Sequence, residues 1–288
     1  MKKRILSLIA AVMLLCTGCG GDESSESLNE FYGETSEAVK EYTAEDFVMQ
    51  IDNPYVTPHS TELFYTIRCL DGTCNGEVSY GDSYVIERLG ENGEWTRVPT
   101  ADGREYIAFA DMAHRIYGHS VFSSIPMDLY IGSLTEGHHR LVKRLNKDIE
   151  LTAEFDVIPS DIGFELHDAD DVTSETEFLT YSFTYLGDGT KTYICGESYI
   201  LEKLDENGEW QAVTFVENFV FNGMGYILSQ AYPERKLAFS IDSIVHDPPL
   251  TAGRYRITAE VFNDEKLTTY DENEHLLHER FSAEFTIN

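Results

Sequence analysis

Basic residues are scarce in this chain. Its 288 residues include 21 Lys and Arg against 51 Asp and Glu, a formal charge of −30. Polyphosphate partners need lysines and arginines to displace their counterions, so a nucleic-acid partner is excluded, and anionic headgroups are repelled. Cysteine is also sparse, at five, and no dense disulfide framework can stand in for a hydrophobic core. The apolar run Ile5–Leu15 falls short of the roughly 18 residues that span a bilayer as a helix. Nucleophile-elbow, phosphate-loop and dinucleotide motifs are missing. The chain therefore reads as non-enzymatic, with no cofactor. Paired carboxylates converging from distant segments would escape a motif search, so a glycan-active enzyme or a solute-binding protein is the alternative.

What is present begins at the N-terminus. Lys2, Lys3 and Arg4 precede the apolar run, and Leu14, Leu15, Cys16, Thr17, Gly18 and Cys19 close it. Thr17 and Gly18 are small enough for the narrow pocket of a signal peptidase, whereas Cys16 follows two leucines and fits badly. The stretch resembles the lipobox of bacterial lipoproteins. That resemblance implies a signal peptide over 1–18, lipid on Cys19, and a place at the cell membrane, anchored on the extracytoplasmic face. Loss of residues 1–18, which hold three basic residues and no acid, takes the charge from −30 to −33. Contact with the membrane is then expected through the lipid alone. Residues 19–46 are rich in Ser, Glu and Gly and poor in aliphatic side chains, which predicts a flexible acidic tether.

The remainder is duplicated. Tyr80–Val98 recurs as Cys195–Val213, 115 residues later and without a gap over nineteen positions. Landmarks follow in the same order on both sides: Phe109 and Met112 with Phe221 and Met224, Leu134 and Gly137 with Leu250 and Gly253, Phe155 with Phe285. Two units are expected, at 47–158 and 163–288, with Pro159, Ser160 and Asp161 as a short joint of limited freedom.

Each unit reads as strands. Asn92-Gly93 and Asn207-Gly208 lie between β-branched and aromatic segments, where Asn-Gly favours a two-residue type I′ hairpin turn. Short strands punctuated by Gly, Asn and Asp, with almost no long amphipathic pattern, predict an all-β chain of two antiparallel β-sandwiches, with about seven strands in each. Three motifs recur in both copies: Gly-x-Ser-Tyr around Tyr84 and Tyr199, Asn-Gly-x-Trp ending at Trp95 and Trp210, and Leu-x-x-Gly-x-x-Arg from Leu134 to Arg140 and Leu250 to Arg256. Together they are similar to the immunoglobulin-like domains carried in tandem by lipoproteins of Firmicutes. The resemblance implies fold and no catalytic residue.

Few side chains stand out as sites. Trp95 and Trp210 are expected to fill the space between sheets, with sugar-stacking platforms as the alternative. Cys69 and Cys74 flank a turn and are a candidate disulfide, two separate thiols being the alternative if register places them on opposite faces. Cys195 is expected to be a buried free thiol. His138 and His139 are adjacent and point to opposite faces of a strand, and His275 and His278 lack a zinc-protease context, so no metal site is expected. Asp168, Asp170 and Asp171 read as a solvated acidic turn, and Gly223 and Gly225 as a bulge or close backbone approach. Arg140, Lys143, Arg144 and Lys147 form the one basic run and should pair with the chain's own carboxylates. The functional expectation is a non-catalytic binding or scaffold role at the cell surface, toward an extracellular protein or wall glycan.

Overall fold

The computed structural model describes residues 40–53, 55–72, 74–101, 103, 109, 113–130, 132–146, 148–173, 175–242, 245–264 and 278–288. The expectations for the signal, for Cys19, for most of the tether and for Met112, Lys147 and His275 lie outside the described residues.

Among the described residues the first copy has eight strands: β1 (Phe47–Ile51), β2 (Glu62–Cys69), β3 (Cys74–Leu89), β4 (Trp95–Arg97), β5 (Ala113–Gly118), β6 (Ser120–Pro126), β7 (Gly137–Leu145) and β8 (Ile149–Val157). The second repeats them as β9 (Ile162–His167), β10 (Phe178–Tyr185), β11 (Tyr193–Leu204), β12 (Trp210–Ala212), β13 (Gly225–Leu228), β14 (Glu234–Ser240), β15 (Gly253–Asn263) and β16 (His278–Ile287). In each copy a three-stranded sheet, β1-β2-β6 or β9-β10-β14, faces a five-stranded one, β4-β3-β7-β8 with β5 on β3 or β12-β11-β15-β16 with β13 on β11. These strands pair antiparallel with one another, and a parallel bridge joins Val56 to Val157 of β8. The expected seven strands become eight because β3 is long. Its two ends pair with β4 and β5 along one edge while β7 occupies the other.

Alternation puts the apolar side chains between the sheets. β8 alternates buried and exposed residues over its whole length, the period of a strand with one wet face. Leu63, Ile67, Ile86, Ile116 and Ile125 are buried in the first core, and Tyr181, Phe183, Tyr193, Phe239 and Tyr255 in the second. Residues 42–46, expected in the tether, are structured. Ala44–Asp46 form a 3-10 turn capped by the Asp46 carboxylate on Thr43, and Tyr42 packs on Phe47 at 5.7 Å between ring centroids.

The central hairpin differs from the two-residue turn that Asn-Gly suggested. Gly93 and Gly208 take positive φ, at 78° and 81°, and neither Asn92 nor Asn207 does. Gly93 N–H donates to Gly90 O at 2.9 Å and Gly90 N–H to Glu94 O at 2.9 Å. These bonds close a three-residue loop in which a type I turn is followed by one left-handed glycine. The asparagine instead uses its side chain, Asn92 Oδ1 accepting from Glu94 N–H at 3.1 Å.

Cys69 and Cys74 are both buried and unbridged, so the candidate disulfide is not formed. They end β2 and begin β3, which belong to different sheets. The stretch between them crosses the sandwich rather than turning a hairpin, and Cys69 Sγ donates to Asp71 Oδ1 at 2.8 Å.

The joint is bonded into both copies. His59 O accepts from Arg280 N–H at 2.8 Å, and Thr61 N–H donates to His278 O at 3.2 Å, so the β1–β2 connection lies along the start of β16. Glu279 is 4% exposed there. Its Oε2 accepts from Thr57 Oγ1 at 2.9 Å and Ser160 Oγ at 2.5 Å, while its Oε1 has no partner. Asp161 pairs with Lys191 at 2.6 Å, and Arg280 with Asp128 at 2.6 Å.

Candidate functional site

The repeated Gly-acid-Ser triplet bends the sandwich. Tyr80 pairs with Leu145 and Tyr84 with Lys143, so β3 advances four residues while β7 advances two. Cys195 with Val261 and Tyr199 with Ala259 repeat the irregularity in β11. Gly81, Asp82 and Ser83, like Gly196, Glu197 and Ser198, thus form a bulge of the kind that re-aims side chains. The bulge acid is held by the neighbouring strand in both copies. Asp82 Oδ1 lies 2.9 Å from His114 Nε2, and Glu197 Oε1 accepts from Tyr226 OH at 2.7 Å.

The two copies then diverge. In the first, Lys143 points inward, is 3% exposed, and donates from Nζ to the bulge carbonyl Gly81 O at 2.8 Å. Its Nζ stands 5.6 Å from the ring centroids of both Tyr65 and Tyr80. Burial pulls the ammonium pKa down to about 8, against a partial counter-effect from Asp82. Burial likewise raises the Tyr84 hydroxyl and pushes that of Tyr65 up to about 12. Beside Lys143 opens a pocket of about 370 Å³, walled by Tyr80, Tyr84, Phe109, His114 and Ser123. In the second copy Ala259 replaces the lysine, and Tyr181 OH reaches the bulge carbonyl Gly196 O at 3.4 Å. Phe215, Phe221 and Phe239 pack around Tyr199 at 5.2 to 5.6 Å. Phe215 stands two residues past Val213, where the first copy has Thr100 past Val98.

A sandwich of two facing antiparallel sheets, occurring twice with one topology and one bulge, can be compared with known proteins. A family model described as bacterial Ig-like domain matches residues 43–156 and again 163–276. The chain belongs to the bacterial Ig-like domain family. No curated protein matches it. Among solved structures it is similar to the adhesin InvE of Yersinia pseudotuberculosis, at 12% identity and a TM-score of 0.26, covering 85% of this chain and 60% of that one. It is similar also to Salmonella alpha-2-macroglobulin, at 12% identity and a TM-score of 0.30, covering 86% and 16% of the two chains. AggA, the major subunit of aggregative adherence fimbriae type I from Escherichia coli, matches at 12% identity with a TM-score of 0.25, covering 46% and 97%.

Within the two Ig-like domains the tryptophans do not fill the core. Trp95 pairs with Leu89, two residues from Glu87, which places it on the outer face of its sheet; Trp210 does the same opposite Leu204. The Arg140 guanidinium lies 4.4 Å from the Trp95 ring centroid and that of Arg256 4.7 Å from Trp210. Each arginine is bonded to a carboxylate at 2.6 Å, Arg140 to Glu87 and Arg256 to Glu202. The duplicated motif therefore spells an outer Glu-Arg-Trp stack, with one indole face covered by guanidinium.

The basic run divides by strand period. Arg140 and Arg144 face outward and pair with Glu87 and Glu150, whereas Lys143 faces inward. His138 sits outside between Asp156 at 2.7 Å and Glu154 at 3.0 Å, and these hydrogen bonds raise its pKa. His139 is fully buried on the other face. Among the described residues no cluster of three His, Cys, Asp or Glu is placed to hold a metal. Asp168 takes a left-handed conformation, φ 57°, at a 3-10 turn. Cys195 is fully buried, its thiol pKa pushed up to about 11 by desolvation. At Gly225, opposite Gly196, an added Cβ would come within 2.8 Å of Ile194 Cγ2, a close approach.

Sequence reasoning missed Tyr65, Asp82 and His114 as neighbours of Lys143. The available signals were the repeated Gly-acid-Ser triplet and, in the basic run, Lys143, which the second domain replaces by Ala259.

Proposed function

We propose that the protein is a lipoprotein held on the extracytoplasmic face of the cell membrane through Cys19, of the kind found in Firmicutes. Its two Ig-like domains serve there in a non-catalytic binding or scaffold role, toward an extracellular protein or a wall glycan. The observation that carries this reading is the joint: Glu279 accepts from Thr57 and Arg280 pairs with Asp128, bonding the two domains into one fixed relation, as suits a protein that presents a surface to a partner. The charge of −30 supports attachment by lipid rather than by headgroup contact. Replacing Cys19 by Ser should release the protein into the medium. Retention of Cys19→Ser at the membrane, in fractionated cells, would refute the anchor.

Solute binding is a second reading, favoured by the pocket of the first Ig-like domain. It does not depend on the anchor.

A further inference from the structure

The pocket beside Lys143 carries a chemistry of its own. Its lining includes the aromatic side chains of Tyr80, Tyr84 and Phe109, which suit an apolar planar group. Lys143 lines it too, and its ammonium makes one described hydrogen bond, to Gly81 O. The Asp82 carboxylate lines the same pocket and draws on Lys143 electrostatically, but its hydrogen bond goes to His114 at 2.9 Å. An ammonium this buried, with no salt bridge among the described residues, gains from an arriving anion, because a charge-assisted hydrogen bond is strong where water is excluded. A cation would meet repulsion from Lys143, although aromatic rings line the site. Size fits as well: an engineered apolar cavity of about 150 Å³ holds benzene, and this pocket of about 370 Å³ has room for one ring with a short carboxylate arm.

We propose that the first Ig-like domain binds a small aromatic carboxylate, its ring against Tyr80, Tyr84 and Phe109 and its carboxylate on Lys143. The inference rests on the solute-binding reading of this pocket and names the class of solute. The second domain lacks the site, since Ala259 supplies no cation and Phe215 and Phe221 pack against the equivalent tyrosine, Tyr199.

The test is calorimetric titration of the full chain with phenylacetate at physiological salt, where repulsion by the acidic surface is screened beyond about 8 Å. Benzyl alcohol and benzyltrimethylammonium serve as the neutral and cationic probes. Phenylacetate should bind at one site, about tenfold or more tighter than benzyl alcohol, a ratio expected for one charge-assisted hydrogen bond. Lys143→Met should weaken it by the same factor. Ser123→Phe, which fills the pocket and keeps the lysine, should abolish it, so the test survives if either variant fails to fold. Equal binding of phenylacetate to a folded variant would overturn the proposal. Preference for the neutral or cationic probe would overturn it while leaving a solute site, and binding of none of the three would remove both readings.

Discussion

Lys143 places a charge where the second Ig-like domain has only the methyl group of Ala259. The cost follows from its pKa, near 10.5 in the unfolded chain and about 8 when folded, a difference worth roughly 3 kcal/mol. The sign is set by proton counting. Between pH 8 and 10 the unfolded chain holds a proton that the folded one has released, so stability rises with pH there, and the full penalty stands below pH 8. Asp82 is the facing carboxylate; Tyr65 and Tyr84 titrate above this window. The urea midpoint of the first domain should therefore climb between pH 7.5 and about 9.5, and this slope should vanish in Lys143→Met. A burial of this kind was not legible in the run Arg140, Lys143, Arg144, because the sequence shows spacing but not which residue of a strand meets a bulge.

At the scale of elements, the start of β15 and the start of β7 show one device kept and one altered. Tyr255 OH donates to Thr251 O at 2.7 Å and accepts from Thr251 N–H at 3.1 Å, tying the strand to the turn before it, the tyrosine corner of immunoglobulin-like sandwiches. At the same place β7 carries His139, whose Nδ1 reaches only Gly137 O at 2.9 Å and whose Nε2 has no partner. The rings sit alike: His139 stacks on Phe155 at 5.7 Å and Tyr255 on Phe285 at 5.6 Å. His139→Tyr should rebuild the corner on Thr135 and raise the stability of the first domain by about 1 kcal/mol, read as a higher denaturant midpoint. Failure to stabilise would mean that Thr135 is out of reach. The departure from tyrosine is visible in the sequence, whereas the orphaned nitrogen appears only once β7 is packed.

For the whole molecule, the decisive contact is Glu279 between the domains. Burial is the main cause raising its pKa, with Asp161 adding to the shift and Lys191, Ser160 and Thr57 opposing it. The folded joint therefore holds a proton more tightly than the unfolded chain does, and stability falls as pH rises from about 4.5 through the folded pKa. Glu279→Gln keeps an acceptor for Thr57 and Ser160 without the charge. It should raise the melting temperature at pH 8 more than at pH 5, measured by calorimetry on the full chain. An equal change at both values would show that the carboxyl is ionised in the fold.

The duplication, the strand periodicity and the turn residues were enough to specify two antiparallel sandwiches, because alternation of apolar side chains and the φ preferences of glycine act over a few residues. The tryptophans, the cysteines and Lys143 were decided elsewhere. Which face Trp95 takes depends on its register with Leu89, whether Cys69 meets Cys74 depends on a crossover between sheets, and what Lys143 meets depends on a bulge in the neighbouring strand. Such facts arise from pairing between segments far apart in the chain, so they exist only in the packed molecule.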